Sequence, residues 1–186
     1  MRMTMAIFIG AVALAPVPVL SAGPSDHGRH TGHAGHAGHD MSTPYAGQQD
    51  RAIKSLSGKD IDDLRNGRGW GLARAAELNG MPGPVHVLEL SAEIGLSPSQ
   101  VTAITGHFNA MKAKAVPLGK TLIEREARLE RAFASRDIDG PKLKALLSDI
   151  AAARSELRFV HLAAHLETPA ILSPAQIKAY NKLRGY

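Results

Sequence analysis

The sequence predicts an all-α protein: a long helical hairpin, kinked at one proline and flanked by short helices. Three observations carry that prediction. From Val101 to Leu129 the apolar residues recur at spacings of three and four with one gap at Arg125, the signature of an amphipathic helix seam. Aromatic residues make up only 4% of the chain, so the core must come from Leu, Ile, Val, Ala and Met, which suits helix bundles better than sheets. Finally, the pentapeptide Leu96-Ser97-Pro98-Ser99-Gln100 returns as Leu172-Ser173-Pro174-Ala175-Gln176, and each copy spells a helix N-terminus.

The first long helix should start at Pro98, with Val101, Ile104, Phe108, Met111, Ala115, Leu118, Leu122 and Leu129 inward, and end near Ala134. At 1.5 Å per residue it would be about 55 Å long. Pro117, with Gly119 close behind, predicts the kink. Glu124 and Arg128 are spaced as a favourable pair on the solvated face. Asp137-Ile138-Asp139-Gly140-Pro141 makes a short turn that forces the second helix back antiparallel. That helix should run from Pro141 to Glu167, with Leu143, Leu147, Ile150, Leu157, Val160 and Ala164 inward, and stop at Thr168-Pro169. A kinked hairpin of this length cannot bury its stripe under short flanking helices alone, so a homodimer is expected.

In each pentapeptide the serine caps the first free backbone N–H groups and the proline fits the first helical position. Gln100 and Gln176 fall where they complete a capping box, and Leu96 with Val101, like Leu172 with Ile177, is spaced as a hydrophobic staple. These paired motifs, bracketing a helical hairpin, resemble the LTxxQ-motif family of small periplasmic proteins, the CpxP/Spy/ZraP group. The resemblance covers residues 84–186, with Ser in both copies where the family motif has Thr. It implies an all-helical antiparallel dimer in a group that includes stress adaptors, ATP-independent chaperones and zinc-linked members. The partners expected on this basis are unfolded client proteins or the periplasmic domain of a sensor kinase.

Residues 1–22 read as a signal peptide. Arg2 supplies the positive end, the apolar run Met5–Leu20 is broken by Pro16 and Pro18, and Ser21-Ala22 offers a cleavage site. The run is shorter than the roughly 20 residues of a membrane helix. With no cysteine there is neither a disulfide framework nor a lipid attachment site, so a soluble periplasmic protein with no integral membrane segment is expected. Without Arg2 the chain carries 21 basic against 17 acidic side chains, scattered and not clustered, which argues against nucleic-acid binding.

Residues 23–44 form a histidine-rich tail. His27, His30, His33, His36 and His39 recur at a strict interval of three among Gly and Ala, a composition that predicts disorder. Neutral imidazole is a good ligand for zinc, copper and nickel, and such a flexible array should hold several ions loosely. Residues 45–83 should form two or three short helices. Ser57-Gly58-Lys59-Asp60 is a capping signature, Leu72–Leu78 is a helical stretch, and Trp70, among Gly67, Gly69 and Gly71, should pack on the helical body. Pro84 should open a helix that runs to Ile94 and stops at Gly95.

A second candidate for chemistry lies in the hairpin. His161 and His165, four residues apart, form a possible metal clamp on one helix face; Leu162 stands where a zinc protease needs its glutamate. If the turn is centred near residue 138, Met111 lies level with His165 and His107 nearby, so His107, Met111, His161 and His165 could form one ligand set for zinc, or for copper if Met111 takes part. The alternative is that these histidines are ordinary amphipathic side chains beside the seam. His86 with Glu89 is a weaker candidate pair. No nucleophile motif or phosphate loop is present, so neither an enzyme nor an organic cofactor is expected. Two function classes follow. One is a periplasmic stress-response protein that binds zinc, copper or nickel and buffers or senses it at the cell envelope. The other is an ATP-independent holdase chaperone of the Spy/CpxP type.

Overall fold

The computed structural model describes residues 44–186. The expected signal peptide and the tail through residue 43, including its five histidines, lie outside the described residues.

Six α-helices and no strand make up the described chain: α1 (Gly58–Arg65), α2 (Arg74–Glu77), α3 (Pro84–Glu89), α4 (Pro98–Ala134), α5 (Gly140–Glu167) and α6 (Pro174–Arg184). A 3-10 turn, Thr168–Ile171, joins α5 to α6. Local chemistry explains where each begins. Ser57, Ser97 and Ser173 all form complete capping boxes, with Asp60, Gln100 and Gln176 returning a bond to the cap backbone. Asp139 caps α5 by accepting from the Lys142 N–H at 2.8 Å. The helix α4 has the predicted bounds and runs as one element through Pro117. The helix α3 is shorter than predicted: after Glu89 the chain tightens into turns, with Ser91 N–H bonding Leu88 O, and reaches Gly95 in the left-handed region.

The helices α4 and α5 pack along their length as the arms of a hairpin. On α5 the inward phase is Leu146, Ile150, Ala153, Leu157, His161 and Ala164. Leu147, expected inward, points out with 48% of its surface exposed, and Leu146 takes the inward place one turn before Ile150. Arg128, expected to pair with Glu124, turns across the hairpin to Asp149 at 3.6 Å.

The chain before α4 folds over one side of this hairpin and makes two cores. Toward the turn, Ile53, Leu56, Leu64 and Leu72 bury against Ala115, Leu122, Ile150, Ala153 and Leu157. The approach of α1 is close enough that a Cβ on Gly119 would sit 2.1 Å from the Leu64 carbonyl oxygen, so only glycine fits there. Trp70 packs on this core as expected. Its ring lies under the Arg154 guanidinium, 4.8 Å from the ring centre, and its N–H donates to Asp60 at 2.8 Å. These contacts hold Trp70 at φ +43°, a strained value for a bulky residue. At the open end, Val87, Ile94, Ile104, Leu172 and Tyr180 form the second core, joining α3, α4 and α6. Among the described residues no helix is long and apolar enough to cross a membrane.

Candidate metal centre

Between the two cores, where α5 runs on past Leu157, histidines join its inward positions. His161 and His165 are both buried, and they face α2 and α3 across a crevice of about 450 Å³ that Glu77 and His86 also line. The elements that meet there are placed by turn chemistry. Gly80, at φ +72°, and Pro82 reverse the chain between α2 and α3, so that Glu77 and His86 come to the same side. At the other end, Gly185 closes α6 in the left-handed conformation and turns Tyr186 back over the crevice.

Glu77 is the centre of this arrangement. Its carboxylate is buried, and Oε1 accepts hydrogen bonds from the Tyr180 hydroxyl at 2.6 Å and the Arg184 Nε at 3.1 Å, with the Tyr186 hydroxyl at 3.4 Å. His86 Nδ1 lies 3.3 Å from Oε1, and His165 Nδ1 lies 3.8 Å from Oε2. Burial works to raise the Glu77 pKa, but the Tyr180 hydrogen bond and the surrounding positive groups outweigh it and hold the carboxyl below its ordinary 4.5. Burial and the same contact push the Tyr180 hydroxyl far upward. Burial, helped by the neighbouring His165, lowers the His161 pKa and favours its neutral ring.

Donor atoms divide into used and unused. His165 Nδ1 meets Met81 O at 2.8 Å. Its Nε2 lies over Gly83 so closely that a Cβ there would fall 2.4 Å away. By contrast Glu77 Oε2, His86 Nδ1 and His161 Nε2 are buried with no hydrogen-bonding protein group. Among the described residues no three His, Asp or Glu side chains already stand at the separations of a bound ion.

The expected set of His107, Met111, His161 and His165 is divided. His107 turns to the other side of α5, with Nε2 3.1 Å from Ala164 O and Nδ1 3.4 Å from Glu167, and shares a small cleft with Met111 and Phe159. Met111 also borders a second crevice with His86 and His161. The small cleft beside His107 includes neither His161 nor His165. His86 faces Glu77 in place of the expected Glu89. His27, His30, His33, His36 and His39 lie outside the described residues.

Sequence reasoning missed Glu77 because nothing local marks it: it sits in an ordinary helical stretch, and Tyr180 and Arg184 reach it across 103 and 107 residues of chain. No protein-family model, no curated protein and no solved structure matches this chain.

Proposed function

We propose that this chain is a periplasmic metal-binding protein of the envelope stress response, which takes up zinc, copper or nickel and buffers or senses it. The observation that carries this reading is the crevice between the two cores. Imidazoles and a carboxylate are gathered there from α2, α3 and α5 at a position where a helical protein would ordinarily bury Leu or Ile. Keeping buried polar groups in a core costs stability, which a ligand bound only by the folded state can return. The histidine repeat of the tail supports the same reading as a loose collecting arm, the signal-like residues 1–22 support the compartment, and the paired Leu-Ser-Pro-x-Gln motifs support kinship with the LTxxQ-motif group.

The test is calorimetric titration of the mature protein with zinc, nickel and copper, beside a full-length variant in which the five tail histidines are alanine. Two phases are expected for the native chain, a weak one of several ions and a tighter one of a single ion. The variant should keep only the tight phase. A variant that takes up none of the three ions leaves the hairpin histidines structural and sinks the reading for the folded part.

A second reading, the holdase chaperone, rests on a different observation. Phe159 and Leu166 on α5 are about two-thirds exposed, so one side of the hairpin presents large apolar groups that α1, α2 and α3 do not cover. In this reading a kinked hairpin, paired antiparallel with a second copy, offers that face to unfolded clients or to a sensor-kinase domain. Suppression of client aggregation that Phe159→Ser and Leu166→Ser abolish would support it.

A further inference from the structure

Three buried polar atoms from three separate helices point at the same question. Glu77 Oε2 on α2, His86 Nδ1 on α3 and His161 Nε2 on α5 each lack a protein hydrogen-bond partner, and the three residues line one crevice. A buried polar atom left unpaired costs stability, and native folds hold few of them. Three in one crevice call for a common partner. The partner must accept electron pairs, since a carboxylate oxygen offers only lone pairs and a neutral imidazole nitrogen without its proton does the same. A divalent cation meets that requirement for all three at once.

We infer that Glu77, His86 and His161 form a two-histidine, one-carboxylate site for a borderline divalent ion of the zinc class. This deepens the proposed function and rests on it. It replaces the ligand partners expected for His161, and it narrows the ion. A hard carboxylate oxygen beside two imidazoles suits Zn(II), Ni(II) or Co(II) and disfavours Cu(I), which prefers sulfur. His86 already stands beside the carboxylate, with Nδ1 3.3 Å from Glu77 Oε1. His161 closes the set when α3 and α5 draw together. His165 is a positioning residue. Its bond to Met81 O and its contact with Gly83 fix the turn that carries His86 toward α5. Arg184 and Tyr180 hold Oε1 and leave Oε2 for the ion.

Cobalt(II) is the probe, because its visible absorption reports coordination and its paramagnetism counts bound imidazoles. The protein is the full mature chain with the five tail histidines replaced by alanine. One equivalent should bind, with absorption bands of a four- or five-coordinate ion and paramagnetically shifted ring-proton signals from two imidazoles. Glu77→Gln, His86→Ala and His161→Ala should each weaken binding by more than the roughly 10–100-fold that loss of even an outer-sphere partner costs. His107→Ala should leave it unchanged. Signals from one imidazole or from three overturn the assignment on the unsubstituted site, whatever the variants do. If His161→Ala abolishes binding while Glu77→Gln and His86→Ala retain it, the metal-binding reading stands and this ligand set falls. If the tail-substituted chain takes up no cobalt, both fall.

Discussion

Gln100 and Gln176 hydrogen-bond each other reciprocally, amide to amide, at 2.9 Å in both directions. Each also completes its own capping box through Oε1, by accepting from the backbone N–H of Ser97 or Ser173. Their remaining N–H groups cross over to the other motif, Gln100 to Ile171 O at 2.8 Å and Gln176 to Gly95 O at 3.1 Å. The two copies of the pentapeptide are therefore two halves of one joint, which ties the start of α4 to the start of α6.

Replacing either glutamine by alanine should cost about 1–2 kcal/mol, the sum of a lost cap and partly exposed hydrogen bonds. The double variant should cost less than the two singles together, with a coupling of about 0.5 kcal/mol or more, because either single change already breaks the shared pair. Urea unfolding of the four proteins of the cycle measures this, and strict additivity would mean that the pair has no worth beyond the caps.

Two glycines on α4 should respond to alanine with opposite signs. Gly119 meets the Leu64 backbone, and an added methyl must push α1 away, so Gly119→Ala should destabilise by about 1–3 kcal/mol. Gly106 is exposed, with nothing within 4 Å of its missing Cβ, so Gly106→Ala should stabilise by about 0.5–1 kcal/mol through helix propensity. Thermal unfolding of both variants checks the contrast.

The features legible in the sequence were those set by neighbours along the chain. Caps, prolines at first turns and the seam of α4 are read within a few residues, and α4 has the predicted bounds. The turn position also gave a usable register, since His107 does come level with Ala164 and Arg125 with Asp149. Register says which residues are level and not which side of the helix they take, so it joined His107 to His161 and His165 when the rings lie on different sides of α5. The inward choice of Leu147 over Leu146 failed for a related reason: α5 is apolar on more than one face, and periodicity alone does not choose between them. Glu77 was invisible because its environment is assembled by α3, α5 and α6.

Acid should weaken this protein in two steps. His161 has a folded-state pKa below its ordinary 6.5, so the neutral ring favours folding and its contribution is complete above that pH. It is lost as pH falls from about 6.5 toward the lower folded value. Asp60, Asp63, Glu77 and Glu130 are likewise held below their ordinary 3.8 or 4.5, so their contribution disappears only at still lower pH. Denaturant unfolding in chelator between pH 7.5 and 3 should show both steps. His161→Leu should flatten the first and leave the second, whereas an unchanged first step would assign it to another group.

Tyr180 tests how firmly Glu77 is anchored. The side chain is fully buried in the second core, and its hydroxyl donates to Glu77 Oε1 at 2.6 Å. Tyr180→Phe keeps the ring and its packing and removes only that donor, so the cost should be that of a buried hydrogen bond to a charged group, about 1.5–3 kcal/mol near neutral pH. The pH dependence distinguishes this from lost packing. Glu77 is ionised above its ordinary 4.5, and there the lost bond costs most; as pH falls and the carboxyl protonates, the native protein loses the same stabilisation and the two unfolding curves converge. A packing defect would instead give a constant difference from pH 7 to pH 3. Convergence with a Zn(II) affinity altered less than in Glu77→Gln would assign Tyr180 to positioning the carboxylate through Oε1, with Oε2 as the atom that meets the ion.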